Sequence, residues 1–305
     1  MLLQRLLRIN KTNLRRFCDQ KTTATVLVKK EGPITTIGIN RPEKRNCVNL
    51  ATAALLKKAI ESFENDPTSY VGVLYGVGGN FCAGYDLQEL STMGESDVTV
   101  LPVDGTVGPT LRFIKKPLIA AVSGYAVAGG LELAMLCDMR VVEESAIMGV
   151  FCRRFGVPLI DGGTVRLQAA IGLSRALDMI LTGRGIGAKE ALEWGLANRI
   201  VATGTAYGQA LSLANSLVKF PQFCMNTDRK SAYNAAYVTK YQELLDYERD
   251  HGFNVVAKES VEGAQRFMSG IGRHGTTHNL TEKKLPDWEV EENKIAQNLD
   301  KKSKL

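Results

Sequence analysis

A chain of 305 residues with 45% hydrophobic and 23% charged residues can bury one large α/β core with an appendage, and this balance argues against a disordered or collagen-like protein. The net charge of +6 is modest and partly terminal, with no aromatic-interleaved basic stripe, and no apolar stretch reaches the ~18–20 residues of a membrane span, so neither nucleic-acid binding nor a membrane span is expected. The 6 cysteines form no C-x-x-C pair and lie near no histidine, which argues against a disulfide framework or a metal site; the 3 histidines (His251, His274, His278) fall too late to serve a serine nucleophile.

Residues 1–18 carry Arg5, Arg8, Lys11, Arg15 and Arg16 and no acid, with Leu2, Leu3, Leu6, Leu7, Ile9 and Leu14 able to line one side of a helix. That composition predicts a mitochondrial presequence over residues 1–20. Thr25–Lys29 and Ile34–Ile39, rich in β-branched residues around Glu31-Gly32-Pro33, predict a hairpin. Asn49 is placed to cap a helix, and Leu55, Leu56, Ile60 and Phe63 recur at helical spacing after it. Val71–Tyr75 and Leu118–Val122 are short apolar runs bounded by glycine or proline, the pattern of buried parallel strands. Each leads into a glycine turn, at residues 79–87 and 126–134, and the alternation continues to Ala146–Gly149.

Beyond Gly163 the pattern is helical, over Val165–Ile171, Ala176–Leu181, Ala188–Trp194, Ala206–Leu217 and Ser231–Tyr247. The expected organisation is an α/β core over 21–200, a helical region over 201–275 and a polar tail over 276–305. The tail ends in Ser303-Lys304-Leu305, the tripeptide read by the peroxisomal import receptor, so the mitochondrion, the peroxisome or both are the expected compartments.

The two glycine turns carry the chemistry. A helix N-terminus leaves amide hydrogens without intrahelical partners and bears a partial positive charge, so two such turns facing each other place two donors around one developing oxyanion. Phe81-Cys82-Ala83-Gly84-Tyr85-Asp86-Leu87, Lys116-Pro117-Leu118-Ile119-Ala120-Ala121-Val122, Gly129-Gly130-Leu131-Glu132-Leu133-Ala134, Cys137-Asp138, Gly162-Gly163-Thr164-Val165-Arg166-Leu167 and Leu181-Thr182-Gly183 together resemble the signature of the crotonase (enoyl-CoA hydratase/isomerase) superfamily over roughly residues 25–275. The resemblance implies a spiral core of repeated ββα units, C-terminal helices that assemble trimers or hexamers, and an acyl-CoA thioester as substrate. It implies no metal or redox cofactor, coenzyme A being part of the substrate.

By the same resemblance the oxyanion donors are the N–H groups of Tyr85 and Gly129. Lys44 and Arg45, in Arg41-Pro42-Glu43-Lys44-Arg45-Asn46-Cys47, together with Ala83, Gly84 and Asp86, match stretches that hold coenzyme A. Asp86 also stands where it would cap the helix after the first donor. Hydratases of the family flank the substrate with two glutamates. Glu132 matches the first, and a carboxylate one turn into an apolar helix is hard to explain otherwise.

The second position falls on Cys152, not an acid, and a small packed residue is the natural reading of it. Asp161 is the substitute carboxylate, although its register is offset by about one residue from an isomerase-like pattern. Arg153 and Arg154 orient that carboxylate, orient a charged acyl group, or face solvent. The expected function is hydration or isomerisation of an enoyl-CoA through a thioester enolate. A hydrolase or decarboxylase on the same scaffold and a non-catalytic acyl-CoA-binding protein are the alternatives.

Overall fold

The computed structural model describes residues 24–92, 102 and 104–237, with isolated positions 269, 271, 287, 290, 291 and 294. The expected presequence and the terminal Ser303-Lys304-Leu305 lie outside the described residues. Strands β1 (Val26–Glu31) and β2 (Ile34–Ile39) form the expected hairpin, turning at Gly32 with φ +59°. Helix α1 (Leu50–Asn65) follows, and the Asn49 side chain caps it by accepting from the amide of Thr52 at 3.0 Å.

Strand β3 (Val71–Gly76), helix α2 (Leu87–Leu90), strands β4 (Leu118–Val122) and β5 (Tyr125–Val127), helix α3 (Gly129–Leu136) and strands β6 (Met139–Glu143) and β7 (Ile147–Gly149) complete the first half. Helices α4 (Gly163–Ile171) and α5 (Leu173–Thr182), strand β8 (Gly185–Gly187), helix α6 (Ala188–Glu193), strand β9 (Arg199–Val201) and helices α7 (Ala206–Leu217) and α8 (Gln222–Tyr237) follow.

Six strands make one sheet in the order β1-β2-β3-β4-β6-β9, parallel except for the first pair, and β5-β7-β8 make a second. Side chains of a strand alternate between faces, so the large sheet feeds two cores. Val71, Val73, Ile119, Ala121 and Val141 point to one face, which α7 covers with Ala206, Ala210 and Leu213. Leu74, Leu118, Ala120 and Val122 point to the other, where α1 and α3 pack through Leu56, Ile60, Phe63, Leu131 and Leu133. Burying each such Val or Leu contributes ~1.5–3 kcal/mol, and double-sided burial is why these strands read as unbroken apolar runs.

Two sequence expectations change. Leu55 lies off the buried face of α1 and is 44% exposed, because successive helical residues are rotated by ~100° and Leu56 already points inward. Helix α8 begins at Gln222, nine residues before Ser231; its apolar residues there, Phe223, Cys224 and Met225, are consecutive and followed by a polar run to Lys230, so periodicity does not mark it. The expected continuation from 238 to Tyr247 lies outside the described residues.

Candidate active site

Strand β4 delivers the chain to β5, and β5 to the N-terminus of α3, an eight-residue helix buried along its whole length. The other glycine turn lies alongside. Phe81 N–H donates to Ser123 O at 2.7 Å, Cys82 N–H to Tyr125 O at 2.9 Å, and Val127 N–H to Cys82 O at 3.1 Å. These bonds set Gly84 against Gly129. A β-carbon on Gly84, whose φ is +95°, would lie 2.9 Å from the amide nitrogen of Gly129.

Among the described residues neither Tyr85 N–H nor Gly129 N–H donates to a protein acceptor. Tyr85 and Gly129 both line one cavity of about 120 Å³. Ala128, just before Gly129, is held at φ +54° and ψ −128°, a sparsely populated conformation that costs an L-residue ~1–3 kcal/mol, with its amide donating to Gly149 O at 2.9 Å. On the other turn the Tyr85 hydroxyl donates to Glu89 Oε2 at 2.6 Å, and that oxygen also accepts from the first amide of α1 at Leu50. The two oxyanion candidates are therefore each fixed by packing outside the cavity.

Glu132 stands one turn into α3, 2% exposed, on the same cavity. Its Oε1 accepts from the amides of Asp161 at 2.8 Å and Gly163 at 2.9 Å, and no protein donor among the described residues reaches Oε2. Burial pushes its carboxyl up to about 7, and the neighbouring charge of Asp161 adds to this while the Gly163 amide opposes it. A group titrating there takes or gives a proton with equal ease near neutrality. Gly163 makes the arrangement possible, since a β-carbon on it would sit 2.8 Å from Glu132 Cγ.

Asp161 also lines the cavity, but its carboxylate is occupied. Oδ1 accepts from the amides of Thr106 (2.7 Å) and Val107 (3.4 Å) and from the Thr110 hydroxyl, and Oδ2 accepts from the Thr106 hydroxyl at 2.5 Å. Arg166 ties the same parts together by donating to Asp161 O at 3.1 Å and to Thr110 O. Cys152 lines the same cavity as Glu132, its thiol raised first by burial and then by the Glu132 charge, so it presents a small neutral group. Among the described residues neither Arg153 nor Arg154 makes a hydrogen bond or ion pair with Asp161. Their guanidinium groups donate to Ile180 O and Gly183 O, and that of Arg154 stacks 3.7 Å from the Phe151 ring centroid.

Of the residues matched to coenzyme A, Ala83 lines the cavity and its amide donates to Arg45 O at 3.0 Å, so the 41–47 loop is stitched to the first glycine turn. Arg45 is exposed, with its guanidinium 5.4 Å from the Tyr125 ring centroid. Lys44 is committed to Asp86 Oδ2 at 3.2 Å and Gln88 Oε1 at 2.9 Å, and would have to leave them to meet a phosphate.

Asp86 caps α2 through Gln88 N–H at 3.2 Å and pairs with the buried Arg41 at 2.8 Å. Burial pushes its carboxyl up, yet the bonds from Arg41 and Lys44 outweigh this and hold it below the ordinary 3.8. Asp86→Ala leaves Arg41 buried without its partner, and the expected cost is ~3–5 kcal/mol in a urea titration at pH 7. Because the folded carboxyl is depressed, this stabilisation is complete above pH 3.8 and disappears as pH falls through the folded value. Wild type and variant should therefore converge at low pH.

The sequence reading missed Thr106 and Thr110. The one signal was the spacing of Gly105-Thr106-Val107-Gly108-Pro109-Thr110, in which both glycines adopt positive φ (+126° and +135°) and curl the segment around Asp161.

A family model for enoyl-CoA hydratase/isomerase matches residues 29–289. The chain belongs to the enoyl-CoA hydratase/isomerase family. It is 31% identical over 257 residues to a mevalonyl-coenzyme A hydratase of Aspergillus fumigatus, covering 82% of this chain and 89% of that one. It is 30% identical over 271 residues to a Dictyostelium discoideum protein named "Probable enoyl-CoA hydratase, mitochondrial", covering 88% and 92%. The crystal structure of an enoyl-CoA hydratase from Mycobacterium tuberculosis superposes with a TM-score of 0.75 at 31% identity, covering 80% and 95%. Crotonase-fold neighbours of this kind match the mixed α/β architecture, and the family works on acyl-CoA thioesters. Among the described residues no helix is long and apolar enough to cross a membrane.

Proposed function

We propose that this enoyl-CoA hydratase/isomerase adds water across the double bond of a 2-enoyl-CoA, with one carboxylate, Glu132, handling the proton on both sides of the reaction. Water oxygen bonds to Cβ as Glu132 Oε2 takes one of its protons, and the π pair of the double bond moves onto the thioester oxygen. Tyr85 N–H and Gly129 N–H hold that oxyanion. Glu132 then returns the proton to Cα. Supporting this is one observation above the rest: a buried carboxyl, pushed up to about 7, shares a cavity with Tyr85 and Gly129, whose amides from facing turns have no protein acceptor among the described residues.

Isomerisation is the second reading, favoured by a specific feature. A double-bond shift needs a single base to move a proton between Cα and Cγ, and with Cys152 neutral and Asp161 occupied, Glu132 is the carboxylate left open among the described cavity residues. In this proposal Asp161 is a weaker candidate for direct proton transfer, since it must first release a donor. Coenzyme A contacts are assigned to Arg45, Ala83 and Gly84, with Lys44 recruited from Asp86 and Asp86 holding the loop.

No cofactor beyond the substrate enters this chemistry. Assembly as trimers or hexamers belongs to the proposal, supported by family membership. Residence in the mitochondrion belongs to the proposal, supported by the basic, acid-free composition of residues 1–18 and by the name of the Dictyostelium relative, while the peroxisome rests on the Ser303-Lys304-Leu305 tripeptide alone.

The purified protein mixed with crotonyl-CoA and, separately, with a 3-enoyl-CoA tests the reading. Loss of conjugated-thioester absorbance without free thiol is the expected result. Gain of absorbance on the second substrate alone would assign isomerisation instead. Thiol release would point to a hydrolase, and silence in every channel to decarboxylation or a binding role.

A further inference from the structure

Hydration needs a second contact to aim the water at Cβ, and the cavity that holds Glu132 also holds Cys152, a neutral thiol, Asp161, whose carboxylate oxygens are both taken, and Thr106. The Thr106 hydroxyl has the chemistry for that contact. A threonine hydroxyl offers one hydrogen and two lone pairs, and a carboxylate oxygen only accepts. Between Thr106 Oγ1 and Asp161 Oδ2, 2.5 Å apart, the hydrogen therefore belongs to Thr106. Its single donor is spent and Thr106 lines the cavity, so a contact its hydroxyl makes there is made as an acceptor.

Thr106 is held in that orientation from several sides. Its own amide and the Thr110 hydroxyl both donate to Asp161 Oδ1, and the amide of the same Asp161 donates to Glu132 Oε1 at 2.8 Å. One residue thus sets the acceptor hydroxyl and the acid/base carboxylate in a fixed relation. A β-carbon on Gly129 would meet Val107 Cγ1 at 2.8 Å, so the segment carrying Thr106 also abuts the oxyanion turn.

We propose that Thr106 is the second seat of the nucleophilic water: its hydroxyl accepts one O–H while Glu132 Oε2 accepts the other. This rests on the hydration reading above. In the step itself the O–H facing Glu132 breaks, its proton passing to the carboxylate as oxygen bonds to Cβ. The O–H facing Thr106 survives as the product hydroxyl, and Thr106 keeps its own proton throughout. Asp161 is a positioning residue, acting through Thr106.

Thr106→Val keeps the shape and removes the acceptor. Expected is a fall of at least ~10-fold in kcat for crotonyl-CoA hydration, with deuterium exchange at Cα of butyryl-CoA, which needs Glu132 and the oxyanion hole but no added water, kept within about threefold. Thr106→Ser restores hydration to within about threefold of wild type. Unchanged hydration in Thr106→Val, or an equal fall in hydration and exchange, overturns the assignment. Wild-type protein that exchanges Cα hydrogen but never hydrates crotonyl-CoA overturns the hydration reading beneath it, a result separable from failure of the Thr106 seat.

Discussion

Glu132→Gln removes turnover, by ~10²–10⁴-fold, leaves acyl-CoA binding intact and makes the protein more stable than wild type at pH 8. The first effect follows because the amide cannot accept a proton. The second follows because Gln keeps the oxygen that accepts from Asp161 and Gly163, so the turn that shapes the cavity survives. The third is thermodynamic. The Glu132 carboxyl titrates at about 7 when folded and at an ordinary 4.5 when unfolded, so between these values the folded chain holds a proton that the unfolded chain has released.

Stability therefore falls as pH rises through that window, and the full cost is present above pH 7. At ~1.4 kcal/mol per unit, it amounts to ~3 kcal/mol at pH 8, which Gln escapes. Wild-type kcat/KM should fall below pH 7 with the same group, as protonation removes the base. Chemical denaturation at pH 5 and pH 8, beside a rate profile, checks both limbs. Full activity in the variant would sink the assignment, and a stability gain equal at both pH values would mean that Glu132 is not the group being titrated.

What the sequence made legible, and what it hid, has a physical pattern. The strands were visible because burial on both faces leaves unbroken apolar runs such as Val71–Tyr75 and Leu118–Val122. Glu132 was visible because a charge inside an apolar helix breaks the local rule and so asks for a reason. The Asp86 cap was visible from its place before α2, but its ion pair with Arg41 was not, since 45 residues separate the partners in the chain.

Asp161 could be picked out as a carboxylate, and only the fold disclosed that four donors from the 106–110 segment already surround it. Lys44 read as a phosphate ligand because sequence cannot show that a cation is already paired. Leu55 misled for the opposite reason: it has the right chemistry on the wrong side of the helix.

The strongest test of the oxyanion hole is Gly84→Ala, for which kcat/KM should fall on the order of 10²–10³-fold, the loss typical of one oxyanion donor. Two costs arrive together in this variant and must be separated. Gly84 sits at φ +95°, where an L-residue is strained by ~1–2 kcal/mol wherever it occurs. Its new β-carbon would also lie 2.9 Å from both the Gly129 nitrogen and Ala128 Cβ and 3.2 Å from Val127 O, so the two glycine turns must part.

Gly79→Ala supplies the control. Gly79 has a similar φ of +85° in the same turn, but nothing lies within 4 Å of its β-carbon position. It should lose comparable stability and keep near-wild-type kcat/KM. If the two variants lost activity equally, backbone strain alone would account for Gly84 and the facing amides would have no special part in the chemistry. A large gap in activity at matched stability ties the loss to the surroundings of Gly84, where the two turns meet and the Tyr85 amide begins, and not to positive-φ strain as such.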